Sequence, residues 1–162
     1  MVLAQLCLYC NHGNQGDGMK VSTYTRNAVN CTIYLATHKH GQLVSLPSIA
    51  ASQAVSAAYL EQIFAKLRRA GLVSAIRGPG GGYRLAKDAA NITVADIMLA
   101  VDDGVETTGC GGSENCKSGT KCLSHDLWGW LNKRISSYLE DVTLGHLVAR
   151  AKGENVTFPV GR

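Results

Sequence analysis

The chain has 162 residues, of which 46% are hydrophobic and 6% aromatic, and its formal net charge is +4. A chain of this size holds one domain, or one small domain with an appended element, and it has enough apolar residues for a core. No apolar run approaches the roughly 18 residues that span a bilayer, and the start lacks the pattern of a secretory signal. We therefore expect a cytoplasmic protein with no membrane partner, whose six cysteines are ligands or core thiols rather than disulfides.

Residues 1–18 differ in composition from the rest, because they contain several Gly and Asn residues but no Lys or Arg. Cys7 and Cys10, followed by His12, have the spacing of half a metal site, but a CxxC pair without a second pair is a weak signal. We predict a disordered extension, or translation from a start upstream of a functional Met19.

Three helices are predicted in the first half of the chain. Apolar residues recur at three and four positions over 23–38, which indicates one buried helix face. Ser45 has the position of an N-cap for a short helix over Leu46–Gln53, and Ser56 for a longer helix that ends at Gly71. A short helix, a tight turn and a longer helix are typical of a helix-turn-helix.

A β-hairpin is predicted directly after these helices. Leu72–Arg77 and Tyr83–Ala86 have strand character, and the glycine-rich segment 78–82 suits a tight loop between them. This order of elements is that of a winged helix. Positive charge accumulates here, which suits DNA phosphates, although a solvated basic face is the alternative. The basic residues between Glu61 and Lys87 are Lys66, Arg68, Arg69, Arg77, Arg84 and Lys87 itself.

A cysteine-rich loop follows a further short helix at Ile92–Val101 and an acidic lead-in at 102–106. Three cysteines are spaced C-x5-C-x5-C, and a histidine follows the last one by three positions. The intervening residues are small and polar, so the loop has little to bury and would gain order from a metal ion or an iron–sulphur cluster. The four candidate metal ligands are Cys110, Cys116, Cys122 and His125.

A long helix is predicted after the loop, over about Asp126–Val142, with a stripe of bulky residues from Leu127 to Val142. Such a face needs a partner. We expect it to pair with its copy in a homodimer, and the alternative is that it folds back on the winged helix. The predicted segments are a disordered extension (1–18), a winged helix-turn-helix DNA-binding domain (19–101), a cluster-binding loop (102–125), a dimerisation helix (126–149) and a flexible tail (150–162).

Three stretches in this order have a specific combined pattern. They are Tyr59-Leu-Glu-Gln-Ile-Phe with Lys66-Leu-Arg-Arg-Ala-Gly-Leu-Val, then Arg77-Gly-Pro-Gly-Gly-Gly-Tyr-Arg-Leu, then the C-x5-C-x5-C-x2-H loop. From about Met19 to Gly153 the sequence resembles the iron–sulphur cluster regulators of the IscR type, winged-helix transcription factors of bacteria. It departs from the family pattern at Tyr24-Thr25, usually Lys-Gly, at Asn27, usually Tyr, and at Ala58, usually Ser.

The resemblance implies a mainly α fold with a small β-hairpin wing, and a homodimer that binds a 2Fe–2S cluster and double-stranded DNA at a palindromic operator. It implies a cluster-sensing regulator in the bacterial cytoplasm that represses cluster-assembly genes and receives its cluster from an assembly scaffold. Cluster-bound and cluster-free forms would then read different operators.

The start of the second helix is expected in the major groove of DNA. There Gln62 can pair with adenine, and Glu61 can accept a hydrogen bond from cytosine while repelling phosphate at other sites. A solvated Glu61, or one paired with Arg68, is the alternative. The wing base is expected to reach the minor groove. The predicted DNA-binding residues are Ser56, Tyr59, Glu61, Gln62, Arg77 and Gly78.

Three thiolates and one imidazole supply the four ligands of a two-iron cluster, and a histidine ligand raises its reduction potential relative to four cysteines. Because imidazole protonates near physiological pH, the cluster should be lost more easily as the pH falls. The alternatives are another cluster type, structural zinc or no metal. Nitric-oxide sensors of the same fold take a carboxylate where this chain has His125. We predict no enzyme, because no nucleotide loop, general base or substrate domain is visible.

Overall fold

A computed structural model describes residues 21–101, 110, 112–116 and 119–158. The expectations for residues 1–18, including Cys7, Cys10 and His12, and for the acidic lead-in at 102–106 lie outside these residues. In chain order the elements are α1 (Thr23–Ala36), α2 (Leu46–Gln53), α3 (Ala57–Arg69), β1 (Val73–Ile76), β2 (Gly82–Leu85), a 3₁₀ turn (Ala89–Asn91), α4 (Val94–Ala100), α5 (His125–Asp141) and α6 (Leu144–Ala151).

The helix-turn-helix begins where its capping serines were predicted. The Ser45 hydroxyl accepts from the backbone N–H of Ser48 at 3.3 Å, and the Ser56 hydroxyl accepts from the N–H of Tyr59 at 3.2 Å. Each bond satisfies a donor that the first helical turn would otherwise leave unpaired. Between α2 and α3 the chain turns at Ala54, whose φ of 53° lies in the left-handed region. These caps confirm the predicted starts of both helices.

The wing is an antiparallel hairpin that is anchored to the chain before α2. Val73 pairs with Leu85 and Ile76 with Gly82. Val44 exchanges two backbone hydrogen bonds of 2.8 Å with Tyr83 on the outer side of β2. At Gly82 an added Cβ would lie 2.5 Å from the Val44 carbonyl oxygen, so only glycine permits this close approach of the two backbones. The predicted hairpin is confirmed, with a first strand two residues shorter than expected and a second strand that begins and ends one residue earlier.

The core is centred on one face of α3. Leu60, Ile63, Phe64 and Leu67 have no exposed surface, and they repeat at the three- and four-residue spacing of a helix. The Phe64 ring packs against Tyr83 of the wing with ring centroids 4.5 Å apart. The opposite face of α3 is left to solvent, so packing determines which side of this helix is presented outward.

The predicted long helix over about Asp126–Val142 is confirmed as α5, but the segment 126–149 assigned to dimerisation is not a single helix. After Asp141 the chain becomes extended at Val142, and a new helix begins after Thr143. The Thr143 hydroxyl accepts from the backbone N–H of His146 at 3.3 Å, and the His146 imidazole accepts from the backbone N–H of Thr143. This reciprocal capping stops one helix and starts the next.

The second helix, α6, folds back on the winged helix. Leu144 has no exposed surface and Val148 is buried, and α6 packs against α1 and the 3₁₀ turn. The N–H of Leu144 donates to the Ile92 carbonyl, and the N–H of Val94 donates to the Val142 carbonyl, both at 2.8 Å. Residues 144–151 therefore complete the DNA-binding domain rather than extend a dimerisation helix. The predicted tail from residue 150 is partly ordered, since Arg150 stacks on the Phe158 ring at 5.1 Å.

None of the described helices combines the length and the apolar character that a membrane crossing requires.

Candidate metal centre and DNA-reading surface

Three of the four predicted metal ligands meet at the start of α5. The Cys116 Sγ lies 3.1 Å from the His125 Nδ1 and 3.5 Å from the Cys110 Sγ, and the Cys110 Sγ lies 3.6 Å from the same imidazole nitrogen. His125 is 7% exposed, and the two cysteines are half-buried. The structure thus brings together two soft sulphur donors and one nitrogen donor in a single cluster of side chains.

Local backbone turns position these donors. The Cys110 carbonyl accepts from the backbone N–H of Ser113 at 3.1 Å and from its hydroxyl at 2.6 Å, which folds the segment between the first two cysteines back on itself. Glu114 continues this turn with a φ of 60°. His125 opens α5, and its backbone N–H donates to the Cys122 carbonyl at 3.1 Å. The helix therefore sets the orientation of the imidazole relative to the loop.

Cys122 lies outside the group of three, although its thiol contacts Cys116. A hydrogen bond from the Ser124 hydroxyl, 3.7 Å away, and a second from the Cys116 thiol lower the pKa of Cys122. For Cys116, the backbone hydrogen bond at Cys122 lowers the pKa, but desolvation and the hydrogen bonds with the Cys122 and Cys110 thiols outweigh it and leave the pKa raised. Cys122 is thus the first of these two thiols to ionise. Thiolates must form before metal binds, so loading is favoured as the pH rises.

The donor set fits a thiophilic metal. A tetrahedral ion with bonds of about 2.3 Å to sulphur and 2.0–2.1 Å to nitrogen holds its ligand atoms roughly 3.5–3.8 Å apart. The distances of 3.1–3.6 Å among Cys110, Cys116 and His125 are close to this value. A two-iron cluster would need a fourth protein ligand in addition to these three. Cys122, whose thiol contacts Cys116, would be that additional donor.

Lys121 is a site residue that the sequence interpretation missed. Its Nζ lies 2.6 Å from the Asp126 carboxylate and 3.2 Å from the Glu114 carboxylate. Glu114 lies between the first two cysteines, Lys121 precedes the third, and Asp126 follows the histidine, so one ammonium group connects all the ligand segments. These bonds, first with Asp126 and then with Glu114, raise the pKa of Lys121. The sequence gives no signal for this contact, because opposite charges five and seven residues apart in a loop form no recognisable motif.

The contact between Lys121 and Asp126 predicts how the pKa of Asp126 changes when the lysine is replaced. The hydrogen bond from Lys121 lowers the pKa of the Asp126 carboxyl, so the ion pair is intact above the ordinary aspartate pKa and is lost as the pH falls through the lowered value. In Lys121→Met protein the pKa of Asp126 should rise toward the ordinary value, as measured by NMR titration of the carboxyl carbon. Lys133→Met, which removes an exposed lysine elsewhere on α5, should leave it lowered. An unchanged titration in the Lys121 variant would contradict the contact.

The predicted DNA-reading residues lie on the solvent side of α3 and on the wing. Ser56, Glu61 and Gln62 are exposed near the start of α3, and Arg77 and Gly78 are exposed where β1 ends. Within the described part of the chain Glu61 forms no ion pair, so the alternative pairing with Arg68 is absent there. Gly78 has a φ of 107°, which turns the chain into the wing loop.

Two of the half-buried residues first grouped with this surface also contact other parts of the protein. Tyr59 is half-buried, and its ring packs edge-on against Tyr24 with centroids 5.7 Å apart. Lys66 lies over the Tyr24 ring at 5.1 Å and donates to the Val101 carbonyl at 3.3 Å, so it is not an open phosphate contact. The exposed basic residues of α3 are Arg68 and Arg69.

Comparisons with known proteins identify the family of this chain. The family model of Rrf2, iron-dependent transcriptional regulator, matches residues 21–150. The chain belongs to the Rrf2 family. Over 130 residues it is 48% identical to the HTH-type transcriptional regulator IscR of Vibrio atlanticus (strain LGP32), covering 80% of this chain and 75% of that relative. It is 45% identical to IscR of Yersinia pseudotuberculosis, covering 80% and 79%.

Solved structures show the same fold. CymR, the global cysteine regulator of B. subtilis, superposes with a TM-score of 0.71 at 32% identity, covering 82% of this chain and 98% of CymR. IscR of T. potens superposes with a TM-score of 0.70 at 33% identity, covering 86% and 94%. The Rrf2-family chain is therefore a winged-helix, DNA-binding transcriptional regulator and not an enzyme, as predicted.

Proposed function

We propose that this protein regulates transcription by sensing the supply of 2Fe–2S clusters, and that Cys110, Cys116, Cys122 and His125 hold the cluster. The observation that carries the proposal is the convergence of two thiols and an imidazole within 3.6 Å on the same chain as a winged helix. The IscR relatives support an iron–sulphur assignment over other thiophilic groups.

The chain's own residues define how the cluster would be held. When bound, the cluster supplies a redox-active and chemically labile centre that reports on iron and oxidants. His125 contributes a neutral ligand, so the site carries one negative charge fewer than a site of four thiolates. The exposed Lys121 adds positive charge beside the ligands and connects their segments. Such a site suits a cluster that is gained and lost as conditions change rather than one that is held permanently.

The DNA-reading residues would recognise a palindromic operator. Gln62 and Glu61 are free to meet base edges from the start of α3, and Ser56 and Tyr59 lie at the same end of the helix, where the dipole favours phosphate. Arg77, with Gly78 beside it, extends the surface along the wing. The Glu61 carboxylate disfavours any DNA site whose bases offer it no hydrogen-bond donor. Repulsion from such sites therefore contributes to the choice of operator.

Cluster occupancy would change operator choice because the ligand loop lies between the winged helix and α5. We propose that the cluster-bound form represses cluster-assembly genes in the bacterial cytoplasm and that an assembly scaffold donates the cluster. Retention of iron would then report directly on the capacity of the cell to make clusters.

The long helix α5 is proposed to form a homodimer. Of its 17 residues only His125 is buried, and four large side chains are well exposed, namely Leu127, Trp128, Trp130 and Tyr138. Exposed aromatic residues on one element are typical of an interface, where they act as anchors. A two-fold dimer would present two recognition helices to the two halves of a palindrome.

If α5 forms the dimer interface, a charged side chain introduced into its apolar face should weaken dimerisation. Leu127→Lys protein should sediment as a monomer, or dissociate at least about tenfold more readily, because the lysine places a charge in an apolar interface. Glu140→Lys introduces a lysine at an exposed position on the side of α5 away from Leu127 and should leave the dimer intact. Sedimentation equilibrium of both variants and the wild type makes this measurement. Identical association of the three proteins would contradict an α5 interface.

Metal analysis of anaerobically purified protein tests the cluster assignment. We expect visible absorption from iron–sulphur charge transfer, with two iron and two sulphide per chain. A colourless protein with one zinc per chain would overturn it. That second candidate is favoured by the mutual distances of the three donors, which match a single tetrahedral ion. A cluster that is retained in air but lost on exposure to nitric oxide would favour the nitric-oxide-sensing alternative.

A further inference from the structure

Tyr59 stands at the third position of α3 and is held by two residues of α1. Its ring meets the Tyr24 ring edge-on, with an interplanar angle of 88° and centroids 5.7 Å apart. Its hydroxyl oxygen accepts a hydrogen bond from the Asn27 side-chain amide at 3.3 Å. An edge-on aromatic pair and a directed hydrogen bond together fix both the ring and the hydroxyl of Tyr59.

The bond from Asn27 also decides what the Tyr59 hydroxyl can do. A phenol hydroxyl has one proton to donate and lone pairs to accept. Since Asn27 donates to its oxygen, the proton of Tyr59 is directed away from Asn27 and toward an external acceptor. Beside the first turn of α3, where the helix dipole attracts anions, the fitting acceptor is a DNA phosphate oxygen.

The Tyr24 ring is itself held in place. The Lys66 Nζ lies 5.1 Å from the centre of this ring and donates to the Val101 carbonyl at 3.3 Å. Lys66 comes from α3, and Val101 follows α4, so the aromatic pair is fixed by three separate elements.

We infer that Tyr24 and Asn27 are positioning residues that hold Tyr59 as a hydrogen-bond donor to the DNA backbone. This inference rests on the proposed reading of DNA by α3. It assigns the start of α1 a role in DNA binding without direct contact between Asn27 and DNA. It also predicts that the two α1 residues act only through the hydroxyl and ring of Tyr59.

A double-mutant cycle tests this coupling. The probe is a duplex that the full-length wild-type protein selects from a random-sequence library, and affinity is measured by fluorescence anisotropy at fixed salt concentration. Tyr59→Phe, which keeps the ring, should weaken binding about tenfold. Asn27→Ala should weaken it severalfold, but should cost nothing further in the Tyr59→Phe background. Tyr24→Leu should weaken binding, and Tyr24→Phe, which keeps the edge-on ring, should restore it.

Asn27→Asp sharpens the test, because a carboxylate only accepts and would capture the Tyr59 proton. It should weaken binding at least as much as Tyr59→Phe does, and in the Tyr59→Phe background only its charge repulsion should remain. Tyr34→Phe, at the far end of α1, is the matched control and should bind normally. Equal losses from Asn27→Ala in both backgrounds would overturn the inference. Normal binding by Tyr59→Phe together with weak binding by Arg77→Ala would also overturn the inference, but it would still support the proposed DNA-reading surface. If neither Tyr59→Phe nor Arg77→Ala changes affinity, the proposed DNA surface fails as well.

Discussion

Purified Cys116→Ala protein is expected to contain no iron while its winged helix remains folded. Cys116 is the central donor of the site, since its sulphur lies 3.1 Å from His125 and 3.5 Å from Cys110. Without it the site loses the donor that contacts both Cys110 and His125, and metal affinity should fall by more than about a hundredfold. Iron content and visible absorption measure the loss, and far-ultraviolet circular dichroism reports on the helices.

Cys31→Ala is the matched control for the loss of one thiol. Cys31 has no exposed surface, and burial raises the pKa of its thiol to about 12, so it supplies no thiolate to a metal. This variant should retain its iron and lose about 1 kcal/mol of stability through the small gap left in the core. Full iron content in Cys116→Ala would show that the ligand set is wrong. Complete unfolding of that variant would show that the loop is structural.

Leu144→Ala should destabilise the winged helix by about 2–5 kcal/mol, although residue 144 lies beyond α5 in the chain. Leu144 has no exposed surface and packs with the core that α1 and α3 form. Removing its side chain leaves a cavity that fixed neighbours fill only in part. Urea denaturation measures the change in the free energy of unfolding.

Leu99→Ala makes the same substitution at a side chain that is 68% exposed on α4. It should change the free energy of unfolding by less than about 0.5 kcal/mol. If both leucine variants unfold like the wild type, then α6 does not belong to the core. If both are destabilised equally, burial of Leu144 is not the cause.

Local signals in the sequence were sufficient for the winged helix. Ser45 and Ser56 define helix starts through a bond to a backbone N–H three residues later, and the glycines of the wing loop can adopt the positive φ that its turn requires. The buried stripe of α3 follows from its spacing alone. These features depend on neighbours within one or two helical turns, which is the range over which sequence patterns are informative.

Features that depend on distant partners were not predictable in this way. The sequence predicts the end of the long helix near Val142, but it does not show that a second helix behind Thr143 and His146 packs against α1. The roles of Tyr24 and Asn27 depend on Tyr59, which lies more than thirty residues away and faces them only after folding. The convergence of Cys110, Cys116 and His125 followed from spacing, whereas the position of Cys122 outside that group depends on the turn before α5.

The docking of α6 has a consequence for biosynthesis. Leu144 and Ile92 are joined by a backbone hydrogen bond across a long intervening segment that contains every proposed metal ligand. During translation the cysteines and His125 therefore leave the ribosome before the residues that close the core. The nascent chain passes through a stage in which the ligand loop is exposed and the DNA-binding domain is unfinished.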